Sequence, residues 1–497
     1  MQDEIQKVLE NTKEINLFDG IYNVYQIIER KKMCNNIAIV ETYGQYISYS
    51  DLYLRINHIA SKIKVKTENI AIIGYPVIDA VISIFSIWKS GNTALILNPG
   101  MKTNELEYIL DFCCVNIIID LKNDFQKFNK NHLVINIDNE KEEKQEEPYE
   151  NGFIHCSNAI LVPTSGTTSS PKIVSLSHKS LLQHAAYNFK VFSLKPEVRE
   201  LLLAPLSAVT NICGMIIPTF MKSGTLYLYN ERFNPLKLVN YYKEYKISFT
   251  GMTPSLLQQF LILKDKDIKK LEVVEGICIG GENVATDLIN KFKKRVPNIK
   301  IISMYGLTET GGSISGWQDD INLINHAVGK LYPGIKVKII NENKECKIGE
   351  YGEIYLASLP LFDGYYKNIK ETNAVLKDGW LKTGDIGKID ESGYLYIKGR
   401  MKNIIIVGGE NVSSEEVEEC LMSHPAIKYA FVSLEKDAVY GENIVAEVVL
   451  NYKLDNFEKI LKEWCNERMM DHKVPRKIIV LENSKLIGMG KRSKCER

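Results

Sequence analysis

Pro163-Thr164-Ser165-Gly166-Thr167-Thr168-Ser169-Ser170-Pro171-Lys172 is the stretch on which the reading of this chain turns. Apolar Ala159-Ile160-Leu161-Val162 precedes it, and His178-Lys179-Ser180-Leu181-Leu182, which reads as a helix start, follows it. The segment offers backbone N–H groups, several hydroxyls and one ammonium to a single anion. Its small side chains let that anion approach the backbone closely, which is the chemistry of a phosphate cradle. It is not the Gly-Lys-Ser/Thr loop of the P-loop type, because Pro171 and Ile173 stand where the second glycine and the hydroxyl belong. Taken alone, such a cluster reads equally well as a polar surface turn.

Upstream, short β-rich runs (Ile37-Ala38-Ile39-Val40, Asn69 to Gly74, Thr93 to Leu97) alternate with helical patterns. Residues 80–91 predict a mostly buried helix closed by Gly91. Such alternation implies parallel α/β layers. The charged run 138–152 predicts a solvated linker. Alternation resumes to about residue 330, with an amphipathic helix over 287–295 and a buried strand over 299–305. Period-two stretches then dominate, as in Lys336-Val337-Lys338-Ile339-Ile340. A last unit of strands and two helices begins near Arg400. The fold class expected is therefore α/β: a large N-terminal domain of layered α/β subdomains plus a β-rich subdomain, then a small α+β C-terminal domain. The boundary is placed between residues 1–399 and 400–497.

Composition narrows the class. At 497 residues the chain exceeds one ordinary core. With 45% apolar and 25% charged residues it has the profile of a globular protein. A formal net charge of +1 gives no field favouring nucleic acid or an anionic membrane. No run of about 18 apolar residues predicts a membrane span, and Met1-Gln2-Asp3-Glu4-Ile5 does not open a signal peptide. Ten scattered cysteines without a CxxC pair, and eight histidines without ligand spacing, argue against zinc and fit a reducing cytoplasm.

Four further segments join the hydroxyl-rich loop: Met304-Tyr305-Gly306-Leu307-Thr308-Glu309-Thr310-Gly311-Gly312, Thr383-Gly384-Asp385 (read as a carboxylate on a tight turn), Gly399-Arg400-Met401-Lys402-Asn403 and Gly490-Lys491-Arg492. Singly, each has a plain reading: Asp385 a turn former, Glu309 a helix-start carboxylate, Lys491 an exposed lysine, Tyr305 a core aromatic and Arg400 a surface charge. In this order and spacing, over nearly the whole chain, they resemble the acyl-adenylate-forming (AMP-binding) superfamily of acyl-CoA synthetases, standalone adenylation enzymes and luciferases.

That resemblance implies a set of roles. Thr164, Ser165, Gly166, Thr167, Thr168 and Lys172 would hold the ATP β- and γ-phosphates. Gly280, Gly281, Glu282, Tyr305 and Gly306 would frame the adenine, the tyrosine ring stacking on it. Thr308 would touch the α-phosphate and Glu309 would bind Mg²⁺. Asp385 would accept the ribose hydroxyls with Arg400 in support, and Lys491 would stabilise charge as acyl-AMP forms. A small C-terminal domain would turn about Lys402, and Gly408 and Gly409 would line a pantetheine tunnel, equally well read as a plain turn. Ala208, Asn211 and Gly311 would face the acyl group, although Asn211 could as readily cap a helix.

The chain departs from the pattern in places. Ser169 and Ile173 replace usual glycines, so either the loop sits differently or those positions use ordinary φ. Ala208 stands where many members have histidine, and the closing motif lacks the proline and threonine that usually precede Gly490-Lys491. Ser207-Ala208-Val209-Thr210-Asn211 contains no carboxylate to pair a substrate ammonium, which argues against an α-amino acid. The reading is an acid–thiol ligase that takes an aliphatic or aromatic carboxylic acid to acyl-AMP and then to CoA. The alternative acceptor is a carrier-protein phosphopantetheine supplied in trans. A nucleotide sensor without turnover and a luciferase-type monooxygenase are the competing readings from other classes.

Overall fold

The computed structural model describes residues 21–122, 133–136, 158–164, 172–192, 194–281, 284, 286–316, 327–357, 361–407, 410–437 and 441–481. The expected linker 138–152 lies outside them. The chain divides into two compact units.

The first unit comprises residues 1–322, 329–336 and 357–381. One of its sheets runs in the order Gly364–Tyr365, Lys172–Ser177, Asn158–Thr164, Thr93–Leu97, Asn69–Ile73, Ile117–Asp120, Leu133–Asn136. Its last five strands are parallel. Thr93–Leu97 is buried along its whole length, as expected of a parallel strand covered on both faces. Helix Ile78–Lys89 crosses over between Asn69–Ile73 and Thr93–Leu97 and buries ten of its twelve residues. Its Trp88 indole N–H donates to the Ala159 carbonyl at 2.8 Å, so the one polar atom of a fully buried side chain is satisfied. Phe85, Trp88, Phe220 and Tyr49 interlock edge to face, with centroids 4.9–5.8 Å apart.

A second parallel array in this unit follows the order Lys300–Leu307, Gly276–Ile279, Phe249–Met252, Arg199–Leu202, Thr225–Leu228, Ile37–Glu41. Tyr46–Ser48 closes its edge antiparallel. Helix Pro235–Glu244 starts on Asn234, whose side chain accepts from the N–H groups of Leu236 and Lys237. Helix Thr286–Arg295 occupies the expected position.

The second unit comprises residues 323–328, 337–356 and 382–497. Lys336–Asn341, Gly352–Ala357, Trp380–Ile389 and Tyr394–Arg400 supply its β-rich part. A further sheet, in the order Glu410–Ser413, Ile404–Val407, Gly441–Leu450, Ile427–Asp437, takes Lys477–Val480 alongside Gly441–Leu450. Helices Ser414–Met422 and Phe457–Asn466 bury Val417, Leu421, Leu461 and Cys465 against Val432, Ala446, Val448 and Ile478.

Two readings change. Pro163, Thr164 and Lys172, read as loop residues, lie in the paired strands Asn158–Thr164 and Lys172–Ser177, and Thr383-Gly384-Asp385 is not on a turn but inside the ten-residue strand Trp380–Ile389. In both cases cross-strand pairing outweighs local turn composition. Among the described residues no helix is long and apolar enough to cross a membrane.

Glu200 is a fully buried carboxylic acid within Arg199–Leu202, accepting from the Thr219 hydroxyl. Burial pushes it up to about 8, against the opposing pull of that hydrogen bond. The folded state thus keeps a proton that the unfolded chain releases near pH 4.5, so stability falls as pH rises from there to about 8. Glu200→Gln is expected to remove this slope, on the order of 4 kcal/mol at pH 8. Thermal denaturation should show wild type and variant alike near pH 5 and the variant melting several degrees higher at pH 8. Equal differences at both pH values would contradict the assignment.

Candidate active site

The described residues on either side of the hydroxyl-rich segment form two paired strands. Asn158–Thr164 and Lys172–Ser177 pair antiparallel, with Thr164 opposite Lys172 and Pro163 opposite Ile173. The Thr164 hydroxyl donates to the Lys172 carbonyl at 3.1 Å. Ser165, Gly166, Thr167 and Thr168 lie outside the described residues, as do Glu282, Gly408, Gly409 and Lys491. Ile173 is buried in the extended return strand, so a β-branched residue follows the lysine without strain. The Lys172 ammonium lies 2.6 Å from a Glu371 carboxylate oxygen and 5.0 Å from the centroid of the Tyr365 ring. That ammonium holds the Glu371 carboxyl below its ordinary range.

The second element of the site is the turn after Lys300–Leu307. This strand runs parallel to Gly276–Ile279 over its first half, then turns back on Gly312–Gly316. Thr308–Thr310 form one 3₁₀ turn between them, and the Thr310 hydroxyl accepts from the Leu307 N–H at 2.9 Å. Glu309 is fixed from outside the turn: the Tyr365 hydroxyl donates to Oε1 at 2.8 Å and the Phe362 N–H to its carbonyl at 2.9 Å. Tyr305 is half-buried, opposite Ser315. Gly280, just past its strand, abuts the same turn, since a Cβ there would lie 3.1 Å from the Met304 carbonyl oxygen. At Gly306 a Cβ would lie 2.1 Å from the Gly312 carbonyl oxygen. Its small size serves hairpin closure rather than room for ligand. Gly311 adopts φ +71°, and a Cβ there would strike His184 at 2.6 Å.

The acyl candidates divide. Ala208 is exposed, whereas Asn211 is 7% exposed and donates its amide to the Pro205 carbonyl at 2.7 Å. Asn211 ends helix Val209–Asn211 and stands at the N-cap position of the next turn, but its side chain makes no capping bond there. The chain continues into a π-helical turn, Ile212–Ile216, whose Cys213 thiol reaches the Gly311 carbonyl at 2.5 Å. This brings the segment after Ala208 against Gly311. Burial pushes Cys213 up to about 12 and His184 down to about 3, so both groups around Gly311 are uncharged at neutral pH.

In the second unit Asp385 sits directly opposite Arg400 in the register of Trp380–Ile389 and Tyr394–Arg400, and their side chains form a 2.6 Å ion pair. Asp385 is 3% exposed. Thr383 anchors the strand through the Ile354 carbonyl, and the Asp385 N–H bonds back to the Thr383 hydroxyl. Lys402 lies in the 3₁₀ turn Met401–Asn403, and Val407 pairs with Glu410. Tyr365 and Glu371 escape the sequence reading; only the pairing of Gly364–Tyr365 with Ser175 and Val174 brings them to Glu309 and Lys172.

The donor set suits a magnesium ion that travels with a nucleotide. Among the described residues no three His, Cys, Asp or Glu side chains cluster as a protein-only cage. A single carboxylate such as Glu309, completed by phosphate oxygens and water, would meet what Mg²⁺ requires in that case.

Comparison with known proteins agrees with this geometry. Residues 28–366 match the model of the AMP-binding enzymes and residues 416–491 that of the AMP-binding enzyme C-terminal domain. A 2-succinylbenzoate–CoA ligase of Bacillus subtilis (strain 168) is 25% identical over 446 residues, 88% of this chain and 90% of that protein. The B. subtilis acyl–CoA ligase YdaB is 31% identical over 320 residues, 64% of this chain and 63% of its own length, so the match spans just under two thirds of that relative. Among solved structures, ATP-bound MatB from Rhodopseudomonas palustris superposes with a TM-score of 0.84 at 21% identity, covering 93% of this chain and 95% of that one. O-succinylbenzoate coenzyme A synthetase from B. subtilis, in complex with AMP, gives 0.83 at 23% identity, covering 92% and 94%. These likenesses establish the fold. Because the first family model alone spans well over half of the 497 residues, the chain belongs to the AMP-binding enzymes, the acyl-adenylate-forming superfamily.

Proposed function

We propose that this enzyme activates an aliphatic or aromatic carboxylic acid with ATP, releasing pyrophosphate, and transfers the acyl group to the thiol of CoA. The observation that carries the reading is the convergence, within one unit, of the phosphate-hairpin residues Thr164 and Lys172 with the Thr308–Glu309 turn, Tyr365 touching both Lys172 and Glu309. In the first step a carboxylate oxygen attacks the α-phosphorus and the bond to pyrophosphate breaks. Lys172 and the hydroxyls of Thr164, Ser165, Thr167 and Thr168, with Gly166 giving close approach, hold the departing phosphates. Thr308 holds the α-phosphate, and Lys491 stabilises the charge developing between carboxylate and phosphate. Glu309 holds Mg²⁺, which when bound neutralises phosphate oxygens. Gly280, Gly281, Glu282, Tyr305 and Gly306 frame the adenine, and Asp385, oriented by Arg400, accepts the ribose hydroxyls.

In the second step the thiol attacks the acyl carbonyl and AMP departs. We assign this step to a small domain, residues 400–497, turning about Lys402 and presenting Gly408 and Gly409 to the pantetheine arm. Uncharged His184 and Cys213 beside Gly311 support a substrate without an ammonium group near the reacting carboxylate. A carrier-protein phosphopantetheine presents the same arm and is the alternative acceptor. Location in the cytoplasm belongs to the same proposal and rests on the scattered cysteines.

The test is pyrophosphate release from ATP and Mg²⁺ across short, medium and long aliphatic acids, benzoate-type and cinnamate-type acids and amino acids, each with and without CoA. Acid-dependent release that becomes steady turnover with CoA is the expected result. A stoichiometric burst indifferent to CoA would favour the carrier protein, and release with amino acids alone would overturn the substrate assignment.

A further inference from the structure

Tyr365 occupies a position that neither composition nor motif marks. Its ring is 8% exposed, and its backbone is pinned twice: Gly364–Tyr365 pairs with Ser175 and Val174 of the hairpin's return strand, and the Tyr365 N–H donates to the Thr372 hydroxyl at 2.9 Å. Phe362 packs edge-on at 5.1 Å, and the Phe362 N–H holds the Glu309 carbonyl. The tyrosine is therefore rigid before any ligand arrives. Two groups meet it, both from other elements: the Glu309 carboxylate at its hydroxyl and the Lys172 ammonium over its ring face.

Each contact has a distinct physical consequence. One 3₁₀ turn, Thr308–Thr310, does not by itself restrict the χ angles of a half-exposed glutamate. A hydroxyl donating to Oε1 turns that carboxylate one way, leaving its other lone pairs for a cation. An ammonium over a tyrosine face is attracted by the ring quadrupole and needs no counter-charge there, so the ring keeps Lys172 beside the hairpin mouth when a phosphate draws it off Glu371.

We propose that Tyr365 is a positioning residue that couples the phosphate-binding lysine to the metal-binding carboxylate, its hydroxyl setting Glu309 and its ring setting Lys172. The proposal rests on the nucleotide assignment made above. It divides the tyrosine into two separable parts, which Tyr365→Phe and Tyr365→Leu remove in turn.

The probe is Mn²⁺ in place of Mg²⁺, with an α,β-methylene ATP analogue that cannot release pyrophosphate. Electron paramagnetic resonance reads Mn²⁺ affinity in the ternary complex, and equilibrium titration reads the analogue at saturating Mn²⁺. Tyr365→Phe is expected to weaken Mn²⁺ about tenfold, as loss of a hydrogen bond to a metal-ligating carboxylate does, with analogue affinity unchanged once metal is saturating. Tyr365→Leu should lose analogue affinity as well. Adding Tyr365→Phe to Glu309→Gln should cost nothing more, because the hydroxyl then has no ionised carboxylate to hold; a merely structural tyrosine would give additive losses. Mn²⁺ affinity equal to wild type in Tyr365→Phe, or additive losses in the double variant, would overturn the positioning role while leaving the nucleotide site standing. Absence of metal-dependent analogue binding in the wild-type enzyme would overturn both.

Discussion

Lys491→Ala is expected to slow acid-dependent pyrophosphate release about 10²–10³-fold or more, the scale of losing one charge-stabilising donor at a reacting centre, while ATP binding persists. The physical reason is differential: in the proposed mechanism the hairpin, the adenine loop and Asp385 would hold ATP before reaction, whereas an ammonium between carboxylate and α-phosphate gains most as negative charge accumulates between them. The same variant should still convert a chemically prepared acyl-adenylate and CoA into thioester, since no phosphorus–oxygen bond to pyrophosphate remains to be broken. Stopped-flow pyrophosphate release and a separate thiolation assay distinguish the two steps. Wild-type release would remove Lys491 from the mechanism, and parallel loss of ATP affinity would make it a binding residue only.

Asp385→Ala carries the second large effect. The carboxylate is 3% exposed and tied to Arg400 at 2.6 Å across paired strands, so its direction is set before ligand arrives. Two ribose hydroxyls donating to a charged acceptor each contribute about 1.5–3 kcal/mol, so their loss should lower kcat/KM for ATP about 10²–10⁴-fold. Stability should change little by comparison, because Arg400 is 40% exposed at its side chain and water can replace the lost counter-charge. Initial rates over an ATP titration, with thermal denaturation alongside, decide between the roles. An unchanged kcat/KM would refute ribose binding; a collapse of the melting temperature with near-normal kcat/KM for the folded fraction would make Asp385 a structural residue.

How far the chain can be read before it is folded depends on where the information lies. Helix Ile78–Lys89 is legible because its apolar run and following glycine are local signals, and the helices Thr286–Arg295 and Ser414–Met422 likewise follow their own periodicity. The family motifs make Lys172, Glu309, Asp385 and Arg400 visible as candidates. What the motifs leave out is their company. Lys172 closes the hydroxyl-rich segment by composition, yet it opens the strand Lys172–Ser177 by pairing with Thr164. Thr383-Gly384-Asp385 has turn composition but lies mid-strand, because long-range pairing with Tyr394–Arg400 outweighs one glycine. Tyr365 reaches Glu309 across 56 positions and Glu371 reaches Lys172 across 199. Such separations carry no periodicity, so only the folded sheet reveals them. His184 is similar: nothing near it in sequence announces that it backs Gly311.

The central claim is that a carboxylate oxygen displaces pyrophosphate from the α-phosphorus, and an oxygen-18 transfer experiment tests it most directly. The acid that supports turnover would be supplied with both carboxylate oxygens labelled, together with ATP, Mg²⁺ and CoA, and the nucleotide product weighed by mass spectrometry. If acyl-AMP forms and is then cleaved by the thiol, the product is AMP carrying one labelled oxygen atom, with unlabelled pyrophosphate beside it. ADP and phosphate as products, or AMP without label, would contradict the account.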